Sequence, residues 1–176
     1  RDAVAFNNRG SAYYDKADFD RAIKDLTQAI VLNPGYDTAF YARGNAYRSK
    51  GDADRAIADY DQALKINPKF ALAISSRGNA YYNKRDYDRA IADLTQAVKL
   101  NPGDVPAFND RGTAYGIKGE VDLAVADFEQ VIKLDPKNAV ALNNRGFAWR
   151  RKGQTDRAIA DFDEAVRVNP GYALAY

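Results

Sequence analysis

Residues 3–36 read AVAFNNRGSAYYDKADFDRAIKDLTQAIVLNPGY, and two helices can be read from them. The first ends at Lys16, a cation well placed at a helix C-terminus. Asp18 is a good N-cap for the second, which carries Ala22, Ile23, Leu26, Ala29 and Ile30 at helical spacing. That helix stops at Asn33-Pro34, because the proline ring disfavours helix in the residue before it. The stretch predicts a helix, a tight turn and a second, antiparallel helix. It also recurs. Pro34, Pro68, Pro102, Pro136 and Pro170 keep a 34-residue step, and only Pro106 lies outside the series. Gly10, Gly44, Gly78, Gly112 and Gly146 keep the same step, as do Ala22, Ala56, Ala90, Ala124 and Ala158. Counting from Ala3 divides the chain into repeats 3–36, 37–70, 71–104, 105–138 and 139–172, with the start of a sixth helix pair at 173–176. Gly51, Gly119 and Gly153 mark the turn in three copies. Asp52 and Asp86 repeat the cap; Glu120 and Gln154 are weaker ones.

A hairpin of this size falls below the roughly 40 residues that a chain usually needs to fold without staples. Stacking successive hairpins solves the problem, so all 176 residues are expected to form one array with contacts between neighbouring units only. The small residues at repeat positions 8 and 20 let helix backbones approach closely. The ring at position 11 (Tyr13, Tyr47, Tyr81, Tyr115, Trp149) fills the adjoining space. Arg1 and Asp2 read as the tail of a preceding unit and Ala173–Tyr176 as the start of a following one, so the segment reads as a slice of a longer array. Its uncapped ends are then candidates for head-to-tail self-association.

Gly at position 8, Tyr at 11, Ala at 20, an aromatic or Leu at 24, Ala at 27 and Pro at 32 closely resemble the tetratricopeptide repeat, over essentially the whole chain. Three columns depart from the family pattern. The common Trp at position 4 is Phe6, Phe40, Ile74, Phe108 and Leu142; position 27 is Val131 in the fourth copy; and Arg replaces the usual Leu at position 7. The Asn-Arg-Gly style resembles repeats common in bacterial members. The resemblance implies an all-α fold, a right-handed superhelical solenoid of antiparallel helix pairs. It also implies a protein–protein interaction scaffold whose concave groove, lined by the first helices, holds a partner segment.

Composition narrows the function further. Cys, His and Met are absent, which excludes disulfides, Cys/His zinc sites and His-based acid–base catalysis. With 26 Lys and Arg against 24 Asp and Glu and no basic block, no nucleic-acid surface is expected. No apolar run reaches membrane-spanning length and no signal segment is present, which favours the cytoplasm and no membrane partner. Asp59 with Asp61, and Asp161 with Asp163, are two residues apart on a helix and diverge, so neither suggests a metal or catalytic pair. No phosphate loop, nucleophile elbow or calcium loop appears. We therefore expect no enzyme activity, no catalytic residue, no cofactor and no metal.

Arg9, Arg43, Arg77, Arg111 and Arg145 invite an anion-binding reading. A matching column of Asp25, Asp59, Asp93, Asp127 and Asp161 makes a ladder of structural ion pairs the better expectation, with Arg43 and Asp59 among its rungs. The first-helix positions 2, 5, 6, 9, 12 and 13 vary between copies and form one stripe. It contains Asn7, Asn8, Tyr14, Tyr41, Asn45, Arg48, Asn79, Tyr82, Asn83, Asn109, Asp110, Asn143, Asn144, Phe147 and Arg150. Eight Asn with no Lys or Glu is unlike a solvated helix face, since Asn is a mediocre helix former. An amide can donate to and accept from a peptide backbone with little regard to its sequence, and the aromatic residues supply rigid anchors. The stripe is similar, in part, to the asparagine ladder of O-linked N-acetylglucosamine transferases, so a targeting domain of a larger glycosyltransferase is an alternative. It does not resemble the chaperone-tail carboxylate clamp, which needs Lys where Asn7, Tyr41, Pro106 and Val140 stand.

Overall fold

The computed structural model describes residues 2–171. They form ten helices: α1 (Ala3–Asp15), α2 (Phe19–Leu32), α3 (Asp37–Ser49), α4 (Ala53–Ile66), α5 (Ala71–Asn83), α6 (Tyr87–Leu100), α7 (Val105–Lys118), α8 (Val121–Leu134), α9 (Ala139–Arg151) and α10 (Thr155–Val168). Among the described residues there is no strand. The chain divides into two compact units, Arg1–Arg89 and Ala90–Tyr176. In the first, α1 packs on α2, α2 on α3, α3 on α4 and α4 on α5, while α1, α3 and α5 adjoin in turn. In the second, α7 packs on α8, α8 on α9 and α9 on α10, with α7 beside α9. This is the all-α architecture of stacked helix hairpins that the repeat dictates. The opening of a sixth pair at 173–176 lies outside the described residues, and so does any cover it gives to α10.

The helix starts follow side-chain chemistry. Asp18, Asp52 and Asp86 accept the backbone N–H of Arg21, Arg55 and Arg89 at 3.2, 3.0 and 3.2 Å. The same carboxylates pair with those arginines' guanidinium groups. Glu120 and Gln154 make no side-chain cap bond, leaving the fourth and fifth copies with weaker helix starts. The turn before each cap needs a left-handed residue. Gly51, Gly119 and Gly153 supply it at φ 80°, 85° and 73°, whereas Ala17 (56°) and Arg85 (62°) adopt it against their Cβ, at about 1–2 kcal/mol each.

Close approach between paired helices depends on position 8. A Cβ on Gly10 would lie 2.7 Å from Leu26 Cγ, on Gly44 2.7 Å from Tyr60 Cε1, and on Gly146 2.6 Å from Phe162 Cε1. Each glycine of the first helix is thus the socket for the position-24 side chain of its partner. Gly78 is buried at the same place in α5.

Beside that socket lies an ion pair. Arg43 donates from Nε and Nη2 to Asp59 at 2.8 and 2.7 Å; Arg111 grips Asp127 at 2.8 and 2.6 Å, and Arg145 grips Asp161 at 2.8 and 2.7 Å. Arg9 makes the same fork to Asp25 but is mostly exposed. The remaining Nη1 reaches back one hairpin, from Arg43 to Thr27 at 3.0 Å, from Arg77 to Asp61 at 2.6 Å and from Arg111 to Thr95 at 3.1 Å. Arg43 and Arg111 thus tie their own hairpins and clip them to the previous one. The bonds to Asp59 and Asp161 hold the Arg43 and Arg145 guanidinium groups above their ordinary pKa, against the opposing pull of burial. A second set of ties joins Lys50 to Asp20, Lys84 to Asp54 and Lys152 to Asp122. Those aspartates sit in the first turns of α2, α4 and α8, where the helix dipole favours a negative charge; holding the next hairpin's lysine is a further role, and a weak one because all three are exposed.

Candidate functional site

With the position-8 glycine facing the second helix of each pair, the varying positions of the first helices fall on another side. In the first unit this face is knitted together by its own polar groups. The Tyr60 hydroxyl of α4, fully buried, donates to Asn45 Oδ1 at 2.7 Å and orients that amide, whose Nδ2 meets no acceptor among the described residues. Burial pushes the Tyr60 hydroxyl pKa up to about 12, so it remains a donor throughout the physiological range. Arg48 Nη1 and Asn83 Nδ2 both donate to Asn79 Oδ1 at 3.2 Å. The Tyr14 hydroxyl lies 3.1 Å from Ser49 Oγ, linking α1 to α3, and Asn7 Nδ2 lies 3.4 Å from Asn8 Oδ1.

The tyrosines of this face are anchored by neighbouring rings. Tyr41 sits 6.1 Å from Tyr60 and 5.0 Å from Phe70 between centroids. Tyr14 lies 5.5 Å from Phe19, and Tyr82 lies 5.7 Å from Tyr87. Each is half-buried.

In the second unit Asn109 and Asp110 are half-buried on α7, and Asn144 is half-buried on α9. Asn143 departs from the exposed stripe: it is 2 % exposed. Ala139, Leu142, Asn143 and Gly146, all buried, stand at i, i+3, i+4 and i+7, so Asn143 belongs to the packed stripe of α9 and is not open to a ligand. Asn7, Asn109 and Asn143 occupy the same repeat position, and the Oδ1 of each is buried without a partner. Phe147 is exposed beside Phe162 (5.2 Å, edge-on), and Arg150 lies over its ring at 4.9 Å. A cavity of about 190 Å³ opens between α7, α8 and α9 around Gly116, Ile117 and Phe128. Sequence reasoning missed this cavity, although its signal was present as a Gly in a column otherwise made of Tyr and Arg.

Nothing in this arrangement assembles reactive groups. Asp59 and Asp61 engage different arginines, and no cluster of three or more acidic side chains converges among the described residues. Among the same residues no helix is long and apolar enough to cross a membrane. The face offers amides, aromatic rings and a few cations.

Comparison with known proteins identifies the type of repeat. A tetratricopeptide repeat model matches residues 3–36 and 71–104, a TPR repeat model matches 44–85, and a second tetratricopeptide repeat model matches 109–173. No curated protein sequence matches the chain. Among solved structures it is similar to YrrB, described as a TPR protein with an unusual peptide-binding site, at 26 % identity and TM-score 0.85 over 99 % of this chain and 90 % of that one. It is also similar to MamA, at 26 % identity and TM-score 0.86 over 93 % of this chain and 96 % of that one. MamA from Desulfovibrio magneticus RS-1 shares the fold at 21 % identity and TM-score 0.89 over 97 % of each chain. The sockets, stacked hairpins and matched models lead to one conclusion: the chain belongs to the tetratricopeptide-repeat family.

Proposed function

We propose that the protein is a non-catalytic scaffold that holds an extended peptide or partner segment against the face formed by its first helices. The observation that carries this reading is Asn45, whose Oδ1 accepts from Tyr60 and whose Nδ2 has no acceptor among the described residues. Held in that way, the amide donates to a ligand carbonyl without first losing rotamer freedom. Asn8, Asn83 and Asn144 add further amides on the same kind of face, and Tyr14, Tyr41 and Tyr82 add rigid ring edges. The similarity to YrrB, a TPR protein with an unusual peptide-binding site, points the same way.

The test is selection of random twelve-residue peptides displayed on phage against the protein, with recovered clones re-measured on an Asn45→Ala, Asn144→Ala variant whose fold is checked by circular dichroism. The proposal expects binding to be lost or weakened by about tenfold or more. Equal binding by both proteins removes the first-helix face as the site.

A further inference from the structure

Repeat position 12 holds Tyr14, Arg48, Tyr82 and Arg150, but Gly116 in the fourth copy. Position 17 holds Phe19 and Tyr87 opposite the two tyrosines, and Val121 opposite Gly116. In the first unit the tilted pair Tyr14–Phe19 and the edge-on pair Tyr82–Tyr87 fill the space between a first helix and the start of its successor. In the second unit Gly116 and Val121 leave that space open, and the cavity of about 190 Å³ is the result. Its floor is Phe128, only 3 % exposed, with Ala124; Phe147 and Ile117, at 38 % and 50 %, stand half out of its wall. A cavity of about 150 Å³ with walls of this kind accommodates benzene, so there is room here for one phenyl ring.

The rim carries charge of one sign. Arg151 lines the cavity and donates to the Gly116 carbonyl, and Arg150 lies over Phe147. Neither guanidinium has a carboxylate partner among the described residues, and no acidic side chain lines the cavity. This contrasts with Arg43, Arg111 and Arg145, each committed to an aspartate.

We infer that the cavity receives a Phe or Tyr side chain from an extended peptide, with an adjacent Asp or Glu of that peptide meeting Arg150 and Arg151. The inference rests on the first-helix face being a peptide site, and it names what that face selects. The incoming ring occupies the place that Tyr14 and Tyr82 fill from within the chain. Charge complementarity sets the neighbouring residue, since a carboxylate is the group these two cations lack.

The test uses fluorescence anisotropy with capped, labelled twelve-residue Gly/Ser peptides carrying a central Phe-Asp, Ala-Asp or Phe-Lys pair. On the unmodified chain the Phe-Asp peptide is expected to bind at least about tenfold more tightly than either control. Gly116→Tyr is expected to abolish that preference with the fold intact, because it restores the residue found at Tyr14 and Tyr82. Phe147→Ser, the residue of the first copy, removes a wall and is expected to weaken the preference independently. Arg150→Gln with Arg151→Gln is expected to erase the Asp-over-Lys discrimination alone. No preference for Phe-Asp, no binding of it at all, or an unchanged preference in Gly116→Tyr would overturn the inference. The two readings separate cleanly: phage-selected peptides that lose binding on Asn45→Ala, Asn144→Ala yet bind Gly116→Tyr normally would sink the cavity and leave the face standing.

Discussion

Two glycines one turn apart on α7 should respond to the same substitution with opposite signs. A Cβ on Gly112 would lie 2.8 Å from Phe128 Cε1 and 3.1 Å from Asp127 Cβ, closer than side-chain atoms normally approach. A Cβ on Gly116 would meet only Ala124 Cβ at 3.9 Å, an ordinary contact. Replacing Gly by Ala in a helix gains about 1 kcal/mol at either site. At Gly112 overpacking costs about 1–3 kcal/mol against that gain, and displacement of Asp127 disturbs its fork with Arg111 as well. Gly112→Ala should therefore lose up to about 2 kcal/mol, and Gly116→Ala should gain up to about 1 kcal/mol. Urea unfolding followed by circular dichroism measures both, with the midpoint moving down for the first and up for the second at unchanged slope. Midpoints that move in the same direction would refute the argument that position 8 is a socket and position 12 of this copy a vacancy.

Other consequences follow from the ion pairs, caps and turns. Arg111→Ala, which strands Asp127 at 4 % exposure, should cost about 3–5 kcal/mol, whereas Arg9→Ala, whose side chain is 60 % exposed, should lower the urea midpoint by less. Asp18 and Asp86 are held below the usual carboxylate range by side-chain bonds from Arg21 and Arg89, and Asp52 first by the backbone N–H of Arg55. A depressed folded pKa means that their stabilisation is present above the unfolded value of about 4 and is lost as pH falls below it. The Asp18→Asn, Asp52→Asn, Asp86→Asn variant should therefore have a shallower fall in melting temperature between about pH 4 and pH 2, and an identical slope would contradict the cap assignment. Ala17→Gly and Arg85→Gly relieve left-handed backbone at φ 56° and 62° and should each raise stability by about 1 kcal/mol, while the same change at exposed Ala58, inside α4, should lower it.

Much of this fold is written in the recurrence itself. The 34-residue step, the caps and the Asn-Pro stops specify ten helices because each signal acts locally, on φ/ψ or on a helix end. The position-8 glycine was legible as a close approach, but its partner at position 24 varies between Leu, Tyr and Phe and emerges only in the packed pair. The Nη1 bonds of Arg43, Arg77 and Arg111 were not legible, because Thr27, Asp61 and Thr95 lie one hairpin back and are not all of one residue type. Asn143 shows the limit of a face drawn from variability alone: its position varies between copies, yet in α9 it lies within the buried stripe. The cavity at Gly116 exists because two columns are small in the same copy, a coincidence visible in the sequence but meaningful only once α7, α8 and α9 are side by side.

The central claim is that the first helices hold a ligand and the second helices hold the fold. Amide chemical-shift mapping with a phage-selected peptide tests it most directly. The account predicts shifts concentrated in α1, α3, α5, α7 and α9, with Asn45, Asn144 and Phe147 among the residues most affected. Shifts concentrated in α2, α4, α8 and α10, on the opposite members of the pairs, would contradict it.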